Sequence, residues 1–143
     1  MSESKTITIK SKTENLKTLR KFVSDFAKKA GFGEKEISDI ALAVDEAATN
    51  IIKHAYKYDE TRDIIARVTF ENGALEISLK DFGAKFDPSK ARLPDIEESL
   101  KLKKAGGLGI YLMKRLTDKL IYRVDSPDFN EIVLIKKLKS ERK

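Results

Sequence analysis

Three polar side chains recur at four-residue intervals in the stretch DEAATNIIKHA, which covers residues 45–55: Glu46, Asn50 and His54. On a helix with about 3.6 residues per turn they form one inclined stripe at the flank of the apolar arc. A glutamate can accept a proton, and an asparagine amide oxygen is a hard ligand of the kind that Mg²⁺ takes. The stripe is therefore either a place where a helix serves an ion or a polar substrate, or an ordinary solvated flank, since helix surfaces are mostly charged.

A second candidate is the stretch DFGAKFDP at 81–88, which directly follows a predicted strand. Asp81, at the end of that strand, can accept a hydrogen bond from an exocyclic amine such as that of adenine. Gly83, two residues later, lets the backbone approach a ligand closely. A plain turn explains Asp-x-Gly equally well. The DFG motif of protein kinases is rejected as a match, because the chain lacks the glycine-rich strand pair, the lysine-bearing strand and the catalytic loop of that fold.

The third candidate is a glycine cluster in the stretch KKAGGLGIYLMKRL at 103–116. Glycines at the start of a predicted helix leave backbone N–H groups and the positive end of the helix dipole for a phosphate. Lys103 and Lys104, just before them, carry charge that can help to hold it. The cluster is neither a Walker A motif nor a Rossmann fingerprint, and alone it is unspecific. The glycine cluster is therefore a candidate phosphate-binding site, and its residues are Gly106, Gly107, Leu108 and Gly109.

Hydrophobic periodicity predicts the elements that position these residues. TITI at 6–9 alternates like a short strand. Ser11 and Glu14 suit a capping box, which predicts the start of a helix that ends at Gly31 as its C-terminal cap. A second helix is predicted from about 34 to about 57, and it carries the polar stripe.

Strands and a third helix complete the predicted order. Two alternating runs joined by Asn72-Gly73 predict a β-hairpin. From 82 to 104 the periodicity dissolves into a long connection with a short helix at about 95–102, and loops of this length are usually functional. The glycine cluster opens a helix to about Thr117, and two strands follow. The order β-α-α-β-β-α-β-β predicts an α+β fold, a two-layer sandwich with helices on one face of a mixed, mostly antiparallel sheet.

Length and composition limit the possible function classes. A chain of 143 residues fits a single domain over 1–143, and without cysteine it has neither disulfides nor a thiolate metal site. The net charge of +6 indicates acidic ligands. Since the lysines are interleaved with acids and no aromatic-rich basic patch occurs, we expect no direct binding of nucleic acid. No stretch reads as a signal peptide or a membrane span, so we expect a cytoplasmic protein with no membrane association.

The three candidates are much more specific in combination. Glu-x-x-x-Asn on a helix, Asp-x-Gly after a hairpin strand, a long loop and Gly-Gly-x-Gly opening a helix resemble the N box and the two glycine boxes of the GHKL superfamily, with its Bergerat ATP-binding fold. DEAATNIIKHAY, the FDP at 86–88 and GGLGIYLMKRLTD look like the RsbW/SpoIIAB type within it. Those proteins are anti-sigma factor serine kinases of bacterial partner-switching systems. The resemblance extends from the first strand to about Leu138.

This resemblance implies a role for each motif. Glu46 is implied to be the general base toward a serine hydroxyl, and Asn50 to coordinate the Mg²⁺ that bridges the phosphates of ATP. Asp81, with Gly83 beside it, is implied to bind the adenine amino group. The glycine box at 106–109 is implied to cap the phosphates, and residues of about 84–105 to form the ATP lid.

The same resemblance implies the partners. The chain is expected to phosphorylate a STAS-type anti-anti-sigma protein with release of ADP, to hold a sigma factor, and to form a homodimer. The rival hypothesis is a non-catalytic module that senses nucleotide and sequesters a regulatory partner. Glu46 favours the kinase, since a pure sensor needs no base. A basic nucleic-acid-binding domain is a second rival, but the sequence shows no readout element for it.

Two positions depart from the family pattern. Ala84-Lys85 stands where many relatives have a second glycine after Asp-x-Gly. The last strand of relatives usually begins with Gly-Thr, and the threonine helps to hold adenine. Here Asn130-Glu131-Ile132 offers no hydroxyl at that place.

Overall fold

The computed structural model describes residues 3–84, 113–123 and 126–138. The helices and strands agree with the predicted order, and residues 113–116, which are also helical, lie at the end of the third predicted helix. The bounds are β1 (Glu3–Lys10), α1 (Leu16–Ala30), α2 (Glu34–Asn50), β2 (Asp63–Glu71), β3 (Ala74–Asp81), β4 (Lys119–Arg123) and β5 (Asn130–Lys137).

The five strands form one sheet in the order β1-β2-β3-β5-β4, and each of the four described strand pairs is antiparallel. The predicted hairpin between β2 and β3 is confirmed. Asn72 and Gly73 at its turn have φ values of 53° and 75°, in the left-handed region that these two residue types adopt most readily. Because β5 pairs with β3, the start of β5 lies beside the end of β3.

The core lies between one face of this sheet and the two helices, which confirms the predicted placement of the helices. In β3 the alternate residues Leu75, Ile77 and Leu79 are at most 1% exposed, as a strand with one buried face requires. The helices supply the other side of the core with the buried residues Leu19, Val23, Phe26, Ile40, Val44 and Ala48.

The predicted capping box at the start of the first helix is wrong. A 3₁₀ turn over Thr13–Asn15 precedes α1, and neither it nor α1 begins with a side-chain cap hydrogen bond. Ser11 instead belongs to the sheet edge, because its N–H donates to the carbonyl of Arg62 at 2.9 Å and its side chain is buried. The predicted end of the helix is confirmed: Gly31 follows α1 with a φ of 104°.

The second helix changes from α-helical to π-helical geometry within the polar stripe. Regular α-helix ends at Asn50 and continues as a π-helical turn over Ile51–Ala55. Lys57 and Tyr58, at the predicted end of the helix, have φ values of 49° and 68° and are no longer helical. The apolar spacing runs on through the π turn, which explains why the sequence predicts one regular helix. Such turns are frequent at functional sites.

Several predicted features lie outside the described residues. They are the short helix at about 95–102, the glycine cluster, and the lid of about 84–105 apart from Ala84. Within 3–84, 113–123 and 126–138, no helix combines the length and the apolarity needed to cross a membrane.

Candidate functional site

A cleft lies where the end of α2 meets the end of β3 and the start of β5. The structure brings Asn50 and Asp81, two of the predicted site residues, together in its lining. The other residues that line it include Ala47, Ile51, Ala55, Ala84 and Asn130. The cleft therefore joins the N-box helix to the predicted adenine-binding strand end.

Glu46 is half-buried on α2, one turn before Asn50. Burial raises the pKa of its carboxyl group, the neighbouring charge of Asp45 raises it further, and Lys53 lowers it. A carboxylate with a raised pKa is a better proton acceptor, which suits a general base. Arg20 on α1 donates a hydrogen bond to Asp45, so the packing of α1 on α2 holds the charge that influences Glu46.

Asn50 is 8% exposed, and its Nδ2 has no hydrogen-bond partner among the described residues. A buried donor without a partner costs about 1–3 kcal/mol, so such a group calls for an occupant of the cleft. Its amide oxygen is a suitable ligand for Mg²⁺. The described part of the chain contains no group of three His, Cys, Asp or Glu side chains that could hold a metal ion. Mg²⁺ at Asn50 would therefore need further oxygens from water or phosphates, as is usual for this ion.

Asp81 is 4% exposed at the end of β3. Its Oδ1 accepts hydrogen bonds from the N–H of Gly83 at 2.9 Å and from Nδ2 of Asn130 at 2.9 Å. The first bond closes the turn that Asp-x-Gly also predicts, and the same Asp81 side chain lies in the lining of the cleft. The two donors hold the carboxylate in a fixed orientation in the cleft.

Gly83 is required by contact with the end of the second helix. A Cβ at this position would lie 2.3 Å from the carbonyl oxygen of Ala55 and 2.8 Å from Cδ1 of Tyr56. The same carbonyl accepts a hydrogen bond from the N–H of Ala84 at 2.8 Å. The backbone at Gly83 therefore comes close to the π turn, and this contact fixes the end of β3 against the end of the second helix.

Tyr56 is a site-building residue that sequence reasoning missed. It is 4% exposed, its hydroxyl donates to the carbonyl of Asp63, and the N–H of Phe82 donates to that hydroxyl at 2.8 Å. Arg62 lies over the ring with its guanidinium 4.9 Å from the centroid, and it donates to the carbonyl of Phe82 at 2.7 Å. The Tyr56 side chain therefore joins the end of the π turn to the start of β2 and to the residue after Asp81. The signal in the sequence was a tyrosine at the end of an apolar helix face, where a hydroxyl needs partners.

Replacement of Tyr56 by phenylalanine is expected to lower the free energy of unfolding by about 1–3 kcal/mol, because the hydrogen bonds of its hydroxyl with the Asp63 carbonyl and the Phe82 N–H are both lost. Urea denaturation measures this change. Tyr58→Phe is the matched control, since Tyr58 is 61% exposed and should tolerate the same change. Equal stability of the two variants would show that the Tyr56 hydroxyl does not hold this junction.

Asn130 is the second residue of the site that sequence reasoning did not assign. Its position was noted only as a departure from the Gly-Thr pattern, without a role. In the structure it pairs with Asp81 across the β3–β5 ladder, and its side chain is buried in the cleft lining. The signal in the sequence was an asparagine at the first position of an apolar strand. That signal could not identify Asp81 as its neighbour, because the pairing depends on strand order and register.

The remaining predicted residues divide into two groups. Neither Glu46 on α2 nor His54 on the π turn is among the described residues that line the cleft, so Asn50 is the one member of the stripe in that described lining. The predicted phosphate-binding residues lie outside the described residues: Lys103, Lys104, Gly106, Gly107, Leu108 and Gly109.

Comparison with known proteins gives concordant results. Residues 9–136 match the family model of the histidine kinase-like ATPase domain. A serine-protein kinase RsbW of Bacillus licheniformis is 36% identical over 119 residues, which cover 80% of this chain and 74% of the relative. The RsbW of Listeria monocytogenes is 33% identical over 128 residues, covering 85% and 82%.

Two solved structures share the fold. The SiaB–SiaC complex of Pseudomonas aeruginosa contains a chain with a TM-score of 0.68 and 15% identity, matched over 92% of this chain and 88% of that one. A Mycobacterium tuberculosis structure with RsbU and RsbW domains has a TM-score of 0.68 and 17% identity, covering 95% of this chain but only 32% of that one. At these identities the likeness concerns the fold alone.

Proposed function

Because the chain belongs to the histidine kinase-like ATPase domain family and is a relative of the serine-protein kinases RsbW, we propose that it is an ATP-dependent protein serine kinase and anti-sigma factor. The observation that supports this function best is the cleft between α2 and β3. It contains an unsatisfied buried amide at Asn50 and a buried, fixed carboxylate at Asp81. A nucleotide offers partners to both.

The two polar groups suit opposite ends of a nucleotide. The Asp81 carboxylate can accept a hydrogen bond from the adenine amino group. Asn50 would give its amide oxygen to Mg²⁺, while its unsatisfied Nδ2 can donate to a phosphate oxygen. The ion supplies charge neutralisation at the phosphates. By the resemblance of their motif, Lys104 and the glycine box at 106–109 hold the phosphates from the other side.

Glu46 is then the group that acts on the protein substrate. Its carboxylate accepts the proton of a serine hydroxyl while the serine oxygen forms a bond to the γ-phosphorus of ATP. The bond from that phosphorus to the β–γ bridging oxygen breaks, and ADP leaves. The half-buried position and the raised pKa of Glu46 favour a residue that takes up a proton over a purely structural charge.

The proposed substrate is a STAS-type anti-anti-sigma protein in a bacterial partner-switching pathway. Phosphate on its serine adds about two negative charges, which weakens docking and leaves the kinase free to hold a sigma factor. We propose a cytoplasmic location, because both proposed partners would act there. We also propose a homodimer, with the first strand and helix as its contact surface, on the basis of the same resemblance.

Radiolabelled ATP tests the proposal directly. Incubation of the chain with Mg²⁺, [γ-³²P]ATP and the STAS protein encoded nearest its own gene should label the STAS protein on serine. Binding of Mg·ADP without any transfer would refute the kinase and support the nucleotide-sensing module. Absence of Mg·ADP binding in calorimetry would refute the nucleotide function altogether.

Asn50→Ala is expected to remove the dependence of nucleotide binding on Mg²⁺. We expect the affinity for ADP with Mg²⁺ present to fall by about tenfold or more, because loss of one ligand of a bound ion costs on the order of 1–3 kcal/mol. Calorimetry with and without Mg²⁺ measures the effect. Thr49→Ala, at the preceding position of α2, is the control. If Asn50→Ala keeps the full enhancement by Mg²⁺, Asn50 is not the metal ligand.

A further inference from the structure

Asn130 carries a buried acceptor that no described residue satisfies. The residue is 6% exposed and lines the same cleft as Asn50 and Asp81. Its Oδ1 has no hydrogen-bond partner within the described residues. A buried carboxamide oxygen of this kind requires a donor, so the cleft is suited to an occupant with N–H groups at this end.

The orientation of the Asn130 carboxamide follows from its neighbours. Its Nδ2 lies 2.9 Å from Oδ1 of Asp81, and 3.3 Å and 3.2 Å from the carbonyl oxygens of Gly83 and Ala84. All three neighbours are acceptors, and a rotated amide would set its oxygen against them. Nδ2 of Asn130 therefore donates to acceptors of the protein, and Oδ1 is the atom available to a ligand.

Both side chains at this end of the cleft present oxygen atoms. Asp81 is an acceptor when ionised, and Asn130 adds a neutral acceptor directly across the strand pair. A 6-aminopurine offers two amine hydrogens to such a pair. A 6-oxopurine would place an oxygen there, and an unsubstituted purine would leave Oδ1 of Asn130 without a donor.

We propose that Asn130 is a base-specificity residue, whose Nδ2 positions the Asp81 carboxylate and whose Oδ1 accepts a hydrogen bond from the 6-amino group of the bound purine nucleotide. The inference rests on the proposed nucleotide-binding function and deepens it. It assigns this chain's recognition of the base to a carboxamide at the start of β5.

The test compares nucleotides that differ only at position 6 of the base. Affinities of the full chain for ADP, purine riboside 5′-diphosphate and IDP are measured by calorimetry with Mg²⁺. The wild-type protein should prefer ADP by about 10- to 100-fold, since a buried acceptor left without its donor costs about 1–3 kcal/mol. Asn130→Leu, close in shape but without hydrogen-bonding groups, should reduce this preference by about tenfold.

The control and the contrary outcomes separate this inference from the function on which it rests. Thr69→Ala should keep the wild-type preference, because the Thr69 hydroxyl contacts the hydroxyl of Ser4 on β1 and Thr69 is not among the described residues that line the cleft. If Asn130→Leu does not fold, Asn130→Ala removes the carboxamide without adding bulk or a hydroxyl, and the preference should still fall at least about threefold. An unchanged preference in the folded variant overturns the role of Asn130. No ADP binding by the wild-type protein overturns the nucleotide function itself.

Discussion

Replacement of Glu46 by glutamine is expected to abolish transfer of phosphate to the partner serine while leaving the affinity for Mg·ADP within about twofold of wild type. Glutamine keeps the shape of the side chain but cannot accept the serine proton, and loss of a general base typically lowers the rate by about 10²- to 10⁴-fold. The rate is measured with radiolabelled ATP, and the affinity by calorimetry. Transfer at the wild-type rate would show that Glu46 is not the base.

The pH dependence of the phosphate-transfer rate is a second test of Glu46 as the general base. Because burial and the charge of Asp45 raise the pKa of Glu46, the rate should fall as the pH drops through a value above the ordinary range of a glutamate. Asp45→Asn removes one cause of the raised pKa, so the acidic limb should move to lower pH. Lys53→Gln removes the cation that lowers the pKa and should move the limb to higher pH. Shifts in the same direction would contradict the assignment.

Replacement of Gly83 by alanine is expected to disrupt the site, although it adds only one methyl group. The added Cβ would lie 2.3 Å from the Ala55 carbonyl oxygen and 2.6 Å from its carbonyl carbon, and backbone atoms cannot rotate away. Overpacking of this kind costs about 1–3 kcal/mol of folding free energy. Since Asp81 Oδ1 also accepts the Gly83 N–H, we expect the affinity for ADP to fall by at least tenfold.

Gly33→Ala is the matched control for this change. Gly33 precedes α2 with a φ of −80°, and a Cβ built there meets nothing within 4 Å. Its free energy of unfolding should stay within about 1 kcal/mol of wild type, and its ADP affinity should be unchanged. If thermal unfolding and calorimetry find the two variants alike, the contact between Gly83 and the π turn does not determine the site.

The elements that the sequence predicted correctly have local signals. The hairpin at Asn72-Gly73 follows from the φ values that those two residues accept, and the helix end at Gly31 follows in the same way. The capping box at Ser11 failed because a tertiary contact, the hydrogen bond to Arg62, holds that residue at the sheet edge. The π turn also escaped prediction, because the apolar spacing of the helix does not change there.

Within the site, the sequence by itself determined which groups are candidates for chemistry. Glu46 and Asn50 are spaced on one helix, and Asp81 and Gly83 lie in one turn; these local patterns led to the roles proposed for the four residues. The tertiary structure decided which residues support them. Tyr56 reaches Phe82, and Asn130 reaches Asp81, only because β5 pairs with β3 and the π turn meets the end of β3. Contacts of this kind depend on strand order and register, which are set by burial of the whole core and are encoded in no short stretch of chain.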